Sequence, residues 1–277
     1  MNSKEPVSIC VLGCGTMGIA IISGSLESKT NLGHITACVS SEDSGKRLRN
    51  LYGDQVNVVV GDNASGIGAS NVVLLCTKPQ MAKLVLQDEK VYEQLKDKIL
   101  ISICAGITLS QLQDWTPDST VVIRAMPNTP CKIREGMTVL GCLPNTSHEH
   151  RDLALGLFSP LGRCRFMDEK HFDAVTSLSG SGPAFACVVL EALADGGVMM
   201  GLPRDVALEL AAQAIHGAAS MVLTTGAHPA AIKDSVTTPG GCTIAGLLTM
   251  EDGKIRSTLA RTIQEATQVA SQLGKPK

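Results

Sequence analysis

Two glycine-rich stretches in this 277-residue chain have the residue types and spacing of anion-binding sites. The first is the G-x-G-x-x-G pattern Gly13-Cys14-Gly15-Thr16-Met17-Gly18, which follows an apolar run and opens a helical pattern. In that context Gly13 permits a turn, Gly15 lets the backbone approach a pyrophosphate, and Gly18 allows close helix–strand packing. The helix N-terminus attracts the phosphates. The pattern predicts a dinucleotide site, although a purely structural glycine turn has the same spacing.

The second stretch is Pro239-Gly240-Gly241, which precedes another apolar helical pattern near the end of the chain. Pro239 favours a turn, and the two glycines expose backbone N–H groups at a helix start, where a carboxylate would fit. Thr243 places a hydroxyl in the first turn, beside that carboxylate. We expect an acidic substrate here, with Thr243 as the catalytic hydroxyl; the alternative is a tight interhelical turn with ordinary capping.

The end of the second predicted strand indicates which nicotinamide cofactor is used. NAD sites usually carry an acidic residue there, which bonds the ribose 2′-hydroxyl. Here Ser40 and Ser41 stand in that place, and basic residues follow, so we predict a preference for NADP(H) with NAD(H) as the alternative. Glu42 argues the other way, and these charges are also compatible with a solvated helix face. The basic residues are Lys46, Arg47 and Arg49.

Composition limits the classes of protein that this chain can be. Hydrophobic residues make up 44% and charged residues 18%, which allows a large core. The net charge of -2 without a basic stripe argues against nucleic acid as a partner. We find no signal peptide and no long apolar run, which predicts a cytoplasmic protein without a membrane partner. Ten cysteines without a C-x-x-C predict reduced core thiols and no metal site.

The hydrophobic pattern predicts an α/β fold, with an N-terminal Rossmann-like doubly wound sheet and a C-terminal all-helical dimerisation domain. We place the domains at 1–165 and 166–277. Apolar β-branched runs alternate with helical segments in the first part and are absent from the second, where helices are apolar on more than one face. Strands are predicted near Val7, His34, Val56, Asn71, Lys98 and Thr120, with one more, on the sheet edge, from Gly136; helices are predicted over 183–200 and 204–223 and from Gly241 and Gly253.

Three further loops follow predicted strands and should share one sheet edge with the first glycine motif. They contain Thr77-Lys78-Pro79, Ala105 and Asn128. Ligands of such sheets bind at the carboxyl ends of the strands. We therefore predict that these loops form the walls of the cofactor site.

A nicotinamide site implies hydride transfer, for which the protein must hold the acceptor and manage one proton. The chain has no lysine from His171 to Ile232, where hydroxyacid dehydrogenases carry a catalytic one on the first long helix after the sheet. His171, His216 and His228 have no assignable carboxylate partner. A carbon–nitrogen double bond is basic and needs less acid assistance than a ketone, so an imine is the favoured acceptor.

Several stretches, in order and nearly end to end, resemble the pyrroline-5-carboxylate reductases, the last enzymes of proline synthesis. They are "RAMPNTP", "SLSGSGPAF", "ADGGVMMGLPR", "HPAAIKD" and "DSVTTPGGCTIAGLLTME". The resemblance implies NAD(P)H-dependent reduction of pyrroline-5-carboxylate, a cyclic imino acid, to L-proline. It also implies an interlocked homodimer of the helical domains, often assembled into a decamer, with an active site shared between subunits.

The resemblance also implies roles for individual residues. The glycine motif from Gly13 to Gly18 would hold pyrophosphate, and Glu169 would approach the substrate nitrogen. Two residues depart from the family pattern. Ser235 stands where some members have Asn, and Cys242 stands where Ala is usual. The other implied contacts are Ser40 and Ser41 near the 2′-phosphate, Asn63 and Thr77-Lys78-Pro79 on the adenosine and phosphate side, Ala105 on the nicotinamide side, and Gly241, Cys242 and Thr243 at the substrate carboxylate, with Thr238 nearby.

Two other classes remain open from the sequence. A hydroxyacid dehydrogenase would share the cofactor motif, and the missing helix lysine counts against it. A non-enzymic NADP-sensing protein would share the Rossmann scaffold, and the glycine-rich seat with Thr243 counts against it.

Overall fold

The computed structural model describes residues 6–27 and 32–273. One eight-stranded sheet has the order β3-β2-β1-β4-β5-β6-β7-β8, in which neighbouring strands are parallel except for the antiparallel pair β6–β7. This is the doubly wound arrangement predicted from the alternating pattern. The strands are β1 (Val7–Leu12), β2 (Leu32–Val39), β3 (Asn57–Val60), β4 (Val72–Leu75), β5 (Ile99–Ser102), β6 (Val121–Met126), β7 (Gly136–Cys142) and β8 (Gly162–Phe166).

Helices connect the strands and make up most of the chain after β8. Several begin at a side chain that accepts a hydrogen bond from a free N–H of the first turn, as Ser41, Asp62 and Thr108 do. The helices are α1 (Thr16–Glu27), α2 (Glu42–Tyr52), α3 (Asn63–Gly68), α4 (Pro79–Leu86), α5 (Glu89–Gln94), α6 (Leu109–Asp114), α7 (His148–Phe158), α8 (Phe172–Val175), α9 (Gly182–Met199), α10 (Arg204–Thr225), α11 (Pro229–Ser235), α12 (Cys242–Asp252) and α13 (Ile255–Ala270).

The chain divides into two compact units. The sheet unit comprises Met1–Ser181 and Ala266–Lys277, and the helical unit comprises Gly182–Glu265. The sequence places the change of character near residue 165, whereas residues 166–181 and the C-terminal segment group with the sheet. The division of the chain at 165 therefore stays a prediction.

The sequence pattern misplaced the edge of the sheet. The strand from Gly136 was expected at the edge, but β8 pairs with it in parallel and covers it. The sequence pattern does not predict β8, because its sequence, GRCRF, alternates arginine with half-buried residues and has no apolar run. The helix α11 was also missed: it is only one to two turns long, and its start at His228 and Pro229 reads as a turn.

Two hydrophobic clusters, one on each face, bury the sheet. β1 contributes to both, since Ile9 and Val11 point to one face and Cys10 and Leu12 to the other. All ten cysteines are free, and Cys10 and Cys38 lie 3.6 Å apart, Sγ to Sγ, without a bond. The prediction of core thiols holds for the five that are buried and is wrong for Cys187 and Cys242, which are exposed; the buried ones are Cys10, Cys14, Cys38, Cys104 and Cys131.

The helical unit buries little of its own apolar surface. Among the described residues of α9 and α10, the buried ones are Ala194, Ala207 and Ala211. A Cβ added at Gly197 would lie 3.1 Å from the Cβ of Ala207, so small residues bring these two helices close together. Large apolar side chains remain exposed, namely Val188, Leu193, Met199, Met200, Leu208, Leu210, Met221 and Leu223.

Two helical segments, Glu169–Met199 and Arg204–Thr225, are long and apolar enough to cross a membrane by length and composition alone. The expectation that the chain has no apolar run long enough to span a membrane is therefore wrong. In each, 6% of the most apolar stretch is buried within the chain. Length and composition are weak evidence for a membrane span, because a helix covered by a second protein copy has the same composition.

The close packing of α3 on the sheet gives a test of the fold. In a Gly66→Ala variant, the new Cβ would lie 2.3 Å from the Cys38 sulfur. We expect urea unfolding to show a loss of about 1–3 kcal/mol. The matched control is Gly156→Ala in α7, where a Cβ meets no atom within 4 Å and should stabilise the helix by up to about 1 kcal/mol. Equal effects of the two substitutions would contradict this packing.

Candidate functional site

The carboxyl ends of the parallel strands meet at one edge of the sheet. Leu12 pairs with both Cys38 and Leu75 on the flanking strands, Leu75 pairs with Ser102, and Ser102 with Arg124. The loops that follow β1, β2, β4, β5 and β6 therefore leave the sheet side by side. This confirms that the predicted loops share one edge; their contact with a cofactor stays a prediction.

The three glycines of the first motif have separate structural reasons. Gly13 adopts a φ of +86°, and a Cβ there would lie 3.0 Å from the Cys76 carbonyl oxygen. A Cβ at Gly18 would lie 2.7 Å from the Gly13 oxygen, so this glycine lets α1 approach the loop. Gly15 has open space where a side chain would be. The first turn of α1 contains no acidic residue, so the loop is suited to an anion.

Cys14 turns its side chain into the core and contributes only backbone to the loop. Its thiol donates to the Val11 carbonyl, and burial raises its pKa to about 12. The thiol therefore stays neutral at physiological pH and adds no negative charge beside the loop. Thr16 is exposed and Met17 is half-buried at the start of α1.

The residues expected near the 2′-phosphate lie at the end of β2 and the start of α2. Ser41 caps α2: its oxygen accepts from the Ser44 N–H at 3.3 Å, and its hydroxyl donates to the Ser44 oxygen at 3.1 Å. Ser40 is exposed. Arg47 donates to the Cys14 carbonyl at 3.2 Å, and Arg49 lies 3.4 Å from Glu42. Two of the three expected bases thus have protein partners, and Glu42 competes for one of them.

On the adenosine side, the expected residues begin the helices that follow β3 and β4. Asn63 is the first residue of α3 and lines a groove of about 1300 Å³ between α3 and α5. Pro79 is the first residue of α4 and Lys78 precedes it as the cap. The Thr77 carbonyl accepts from the Cys104 thiol at 3.3 Å, which joins the loops after β4 and β5. Burial raises the pKa of Cys104, so this thiol remains a donor.

Asn128, at the end of β6, uses its side chain to hold other segments. Its amide donates to the Ser179 carbonyl at 3.1 Å, and its oxygen accepts from the Met137 N–H at 2.8 Å. Ser179 lies in the π-helical segment Thr176–Gly180. Asn128 therefore positions the edge of the predicted nicotinamide side, and direct contact with the cofactor stays a prediction.

Glu169 forms an ion pair that the sequence analysis missed. Its Oε1 lies 2.6 Å from the Arg124 guanidinium and accepts the Leu109 N–H at 2.7 Å. Arg124 is the one charged residue buried in the described part of the chain, and its guanidinium stacks on Phe172 at 4.5 Å. An arginine inside the apolar strand VVIRAM was the available signal, since a buried charge requires a partner. The predicted approach of Glu169 to the substrate nitrogen is untested.

The second glycine motif of the helical unit forms a turn followed by a helix start without a side-chain cap. The Gly241 N–H donates to the Thr238 carbonyl at 3.1 Å, and Gly240 has a φ of +68°. Pro239 and Gly240 are thus the central residues of a type II turn. α12 then begins at Cys242, with Gly241 as its cap residue and no side-chain hydrogen bond. The N–H groups of its first turn are left for a ligand or water.

The side chains around this helix start are small and polar. Thr243 is half-buried in the first turn, and Cys242 is exposed. A Cβ at Gly241 would lie 2.4 Å from the Thr238 hydroxyl oxygen, so that hydroxyl lies against the cap residue. The arrangement can bind a carboxylate through backbone N–H groups and offer it one or two hydroxyls.

The remaining candidates have local roles. The Ser235 hydroxyl donates to the Ile232 carbonyl at 2.7 Å, and His228 caps α11 by accepting from the Ala230 N–H at 3.2 Å. His171 and His216 are exposed. Within residues 6–27 and 32–273 we see no ion pair that involves a histidine, and no cluster of His, Cys, Asp or Glu that could hold a metal.

Two family models match separate parts of the chain. Residues 169–273 match the model described as pyrroline-5-carboxylate reductase dimerisation. Residues 8–106 match the model described as NADP oxidoreductase, coenzyme F420-dependent.

Curated relatives and solved structures cover nearly the whole chain. The pyrroline-5-carboxylate reductase of Schizosaccharomyces pombe is 48% identical, over 96% of this chain and 99% of its own. That of Pisum sativum is 40% identical, over 98% and 97%. The crystal structure of Plasmodium falciparum pyrroline carboxylate reductase with NADP bound is 26% identical, with a TM-score of 0.87 over 98% of this chain and 99% of that one. The chain therefore belongs to the pyrroline-5-carboxylate reductase family.

Proposed function

We propose that the protein reduces pyrroline-5-carboxylate to L-proline, with NADPH as the preferred cofactor and the α12 helix start as the seat of the substrate carboxylate. Relatives named pyrroline-5-carboxylate reductase, which align over nearly their whole length, support the reaction. The observation that carries the seat is the uncapped start of α12 after a glycine turn. A helix N-terminus with free N–H groups favours a carboxylate over a neutral group.

The residues along the sheet edge fit a dinucleotide. The glycine motif offers N–H groups and open space at Gly15 for the pyrophosphate. Ser40, with Lys46 and Arg47 on the following helix, would take the 2′-phosphate, and Asn63 the adenosine side. When bound, NADPH supplies a hydride to the imine carbon. The other proposed cofactor contacts are Cys14, Thr16, Met17, Gly18, Ser41, Thr77, Lys78, Pro79, Ala105 and Asn128.

The protein's own task is to bind and orient the imino acid and to manage its proton. The imine nitrogen is basic, and when it carries a proton the ring accepts a hydride without a strong acid nearby. Thr243 donates a hydrogen bond to the nitrogen or the carboxylate and relays a proton from water as the amine forms. Thr238 and the N–H groups after Gly241, that of Cys242 included, hold the carboxylate, which fixes the ring. Gly240 makes the turn.

Turnover separates this function from its rivals. NADPH oxidation, followed by absorbance, should occur with pyrroline-5-carboxylate and yield L-proline. A hydroxyacid dehydrogenase would oxidise NADPH with a 2-oxo acid instead. An NADP-sensing protein would bind NADPH without consuming it, and either result would overturn the proposal.

The hydroxyl of Thr243 should carry a large part of the rate. Thr243→Ala should lower kcat/KM by roughly 30- to 1,000-fold, equivalent to about 2–4 kcal/mol, because a contact to a developing charge is lost. Thr243→Ser keeps the hydroxyl and should retain most activity. The control is Thr249→Ala in the same helix, whose hydroxyl donates to the Ala245 carbonyl. NADPH affinity should be unchanged in all variants. Near-normal turnover by Thr243→Ala would contradict a catalytic role for the hydroxyl and leave this helix start as a carboxylate-binding site alone.

Ser40 should set part of the cofactor preference. Ser40→Asp places a negative charge where we propose the 2′-phosphate and should lower the NADPH to NADH ratio of kcat/KM by about 10-fold or more. Ser40→Ala is the matched control, since it removes the hydroxyl without adding charge. If the ratio measured for Ser40→Asp equals that of Ser40→Ala, the phosphate lies elsewhere.

We infer an obligate homodimer through residues 182–273, further assembled into a decamer. The exposed apolar side chains of α9 and α10 support it, together with the match to a dimerisation model. The interface should exceed ~2,000 Å². Cytoplasmic location and the absence of a membrane partner remain predictions.

Sedimentation tests the dimer directly. Leu193→Glu, at a side chain 51% exposed on α9, should dissociate the protein at micromolar concentration, because a charge would be buried. Leu51→Glu on α2, at 54% exposure outside the helical unit, is the control and should leave assembly intact. A stable, active wild-type monomer would rule the dimer out.

A further inference from the structure

The ion pair between Arg124 and Glu169 is more buried than any other in the described residues, and the proposed chemistry does not use it. The Arg124 side chain is 5% exposed, whereas the bases of the other described pairs lie at 37% or more. Burial of a guanidinium is unfavourable unless a counter-charge and hydrogen bonds compensate for the lost water. Both members of the other pairs are open to water, whereas here the Arg124 guanidinium is shielded and the Glu169 side chain is 31% exposed.

Glu169 joins three segments through one oxygen. Its Oε1 accepts from Arg124 within β6 and from the Leu109 N–H at the start of α6. The first turn of α6 is otherwise closed by the capping box of Thr108 and Gln111. Glu169 therefore supplies the acceptor that the capping box leaves for Leu109.

Arg124 extends the arrangement to the apolar layer under the predicted nicotinamide side. Its guanidinium stacks on Phe172, which packs with Met126, Val139 and Val175. Ala105 packs against the same cluster. A Cβ at Gly141 would lie 2.9 Å from the Phe172 ring, so the ring has no room to shift that way. The Phe172 cluster thus includes Ala105 in the loop after β5 and Met126 at the end of β6, and Arg124 lies over the Phe172 ring.

We propose that Arg124 and Glu169 are positioning residues for hydride transfer, which act through Leu109 and Phe172 on the loops that carry Ala105 and Asn128. The proposal rests on the proposed function. Hydride transfer depends steeply on the distance and angle between donor and acceptor, so a small displacement of the nicotinamide side lowers the rate. The role replaces the direct approach of Glu169 to the substrate nitrogen that the family resemblance implies.

Two substitutions at one position separate positioning from direct contact. Glu169→Ala removes the acceptor, whereas Glu169→Gln keeps an oxygen for both Arg124 and Leu109. We would measure kcat, KM and the isotope effect with [4-²H]NADPH in the full chain. The dissociation constant of 2′,5′-ADP, which occupies only the phosphate and adenosine side, reports whether the rest of the site is intact.

Glu169→Ala should lower kcat by about 10- to 100-fold and raise the deuterium isotope effect, because misplaced reactants make hydride transfer rate-limiting. The affinity for 2′,5′-ADP should change by less than about 2-fold. Glu169→Gln should keep kcat within about 5-fold of the wild type, with the same pH profile. Arg124→Met should behave as Glu169→Ala does, and the double variant should be no worse than the poorer single variant.

Three results would overturn the proposal. The first is a Glu169→Ala variant with the wild-type kcat and isotope effect, because the pair would then have no role in the reaction. The second is a Glu169→Gln variant that loses as much kcat as Glu169→Ala and also loses one limb of the pH profile. Glu169 would then act directly on the substrate. The third is a fold-loss of 2′,5′-ADP affinity equal to the fold-loss of kcat, which would indicate that the whole cofactor site is disrupted. The wild type, assayed in parallel, tests the proposed function itself.

Discussion

The in-register pairing of the parallel strands is the constraint on which the sheet unit depends. Because Leu12, Leu75 and Ser102 are paired across β1, β4 and β5, the loops that follow leave the sheet at the same level. Gly13 can then approach the Cys76 carbonyl closely, and the Cys104 thiol can reach the Thr77 carbonyl. A register shift of one residue between any two of these strands would break these contacts and move the side chains of the shifted strand to the opposite face of the sheet.

The sequence was most informative where a residue has one physical reason to be present. Gly13, Gly18 and Gly240 were assigned from local spacing, and the structure gives each a positive φ or a contact that excludes a side chain. The pairing of Arg124 with Glu169 could not be read in this way, because 45 residues separate them and only the packed fold brings them together. β8 was missed because its arginines hide the apolar pattern. The exposed Cys187 shows the same limit. An apolar run predicts that a residue is buried, but it does not tell whether the same chain or another molecule buries it.

The two units stabilise themselves differently. The sheet unit buries large aliphatic side chains on both faces of the sheet. In the helical unit, α9 and α10 bury alanines and leave leucines and methionines exposed. Covering apolar surface of this kind with a second copy lowers the free energy, because the surface is removed from water. A family whose helical segment is described as a dimerisation region fits that requirement.

The central claim is that the start of α12 binds the carboxylate of an imine substrate. The most direct measurement compares NADPH oxidation with pyrroline-5-carboxylate and with 1-pyrroline, the same ring without its carboxylate. We predict that kcat/KM falls by about 100-fold or more for 1-pyrroline, because charge-assisted hydrogen bonds worth about 1.5–3 kcal/mol each are lost. Equal kcat/KM values for the two rings would contradict the account.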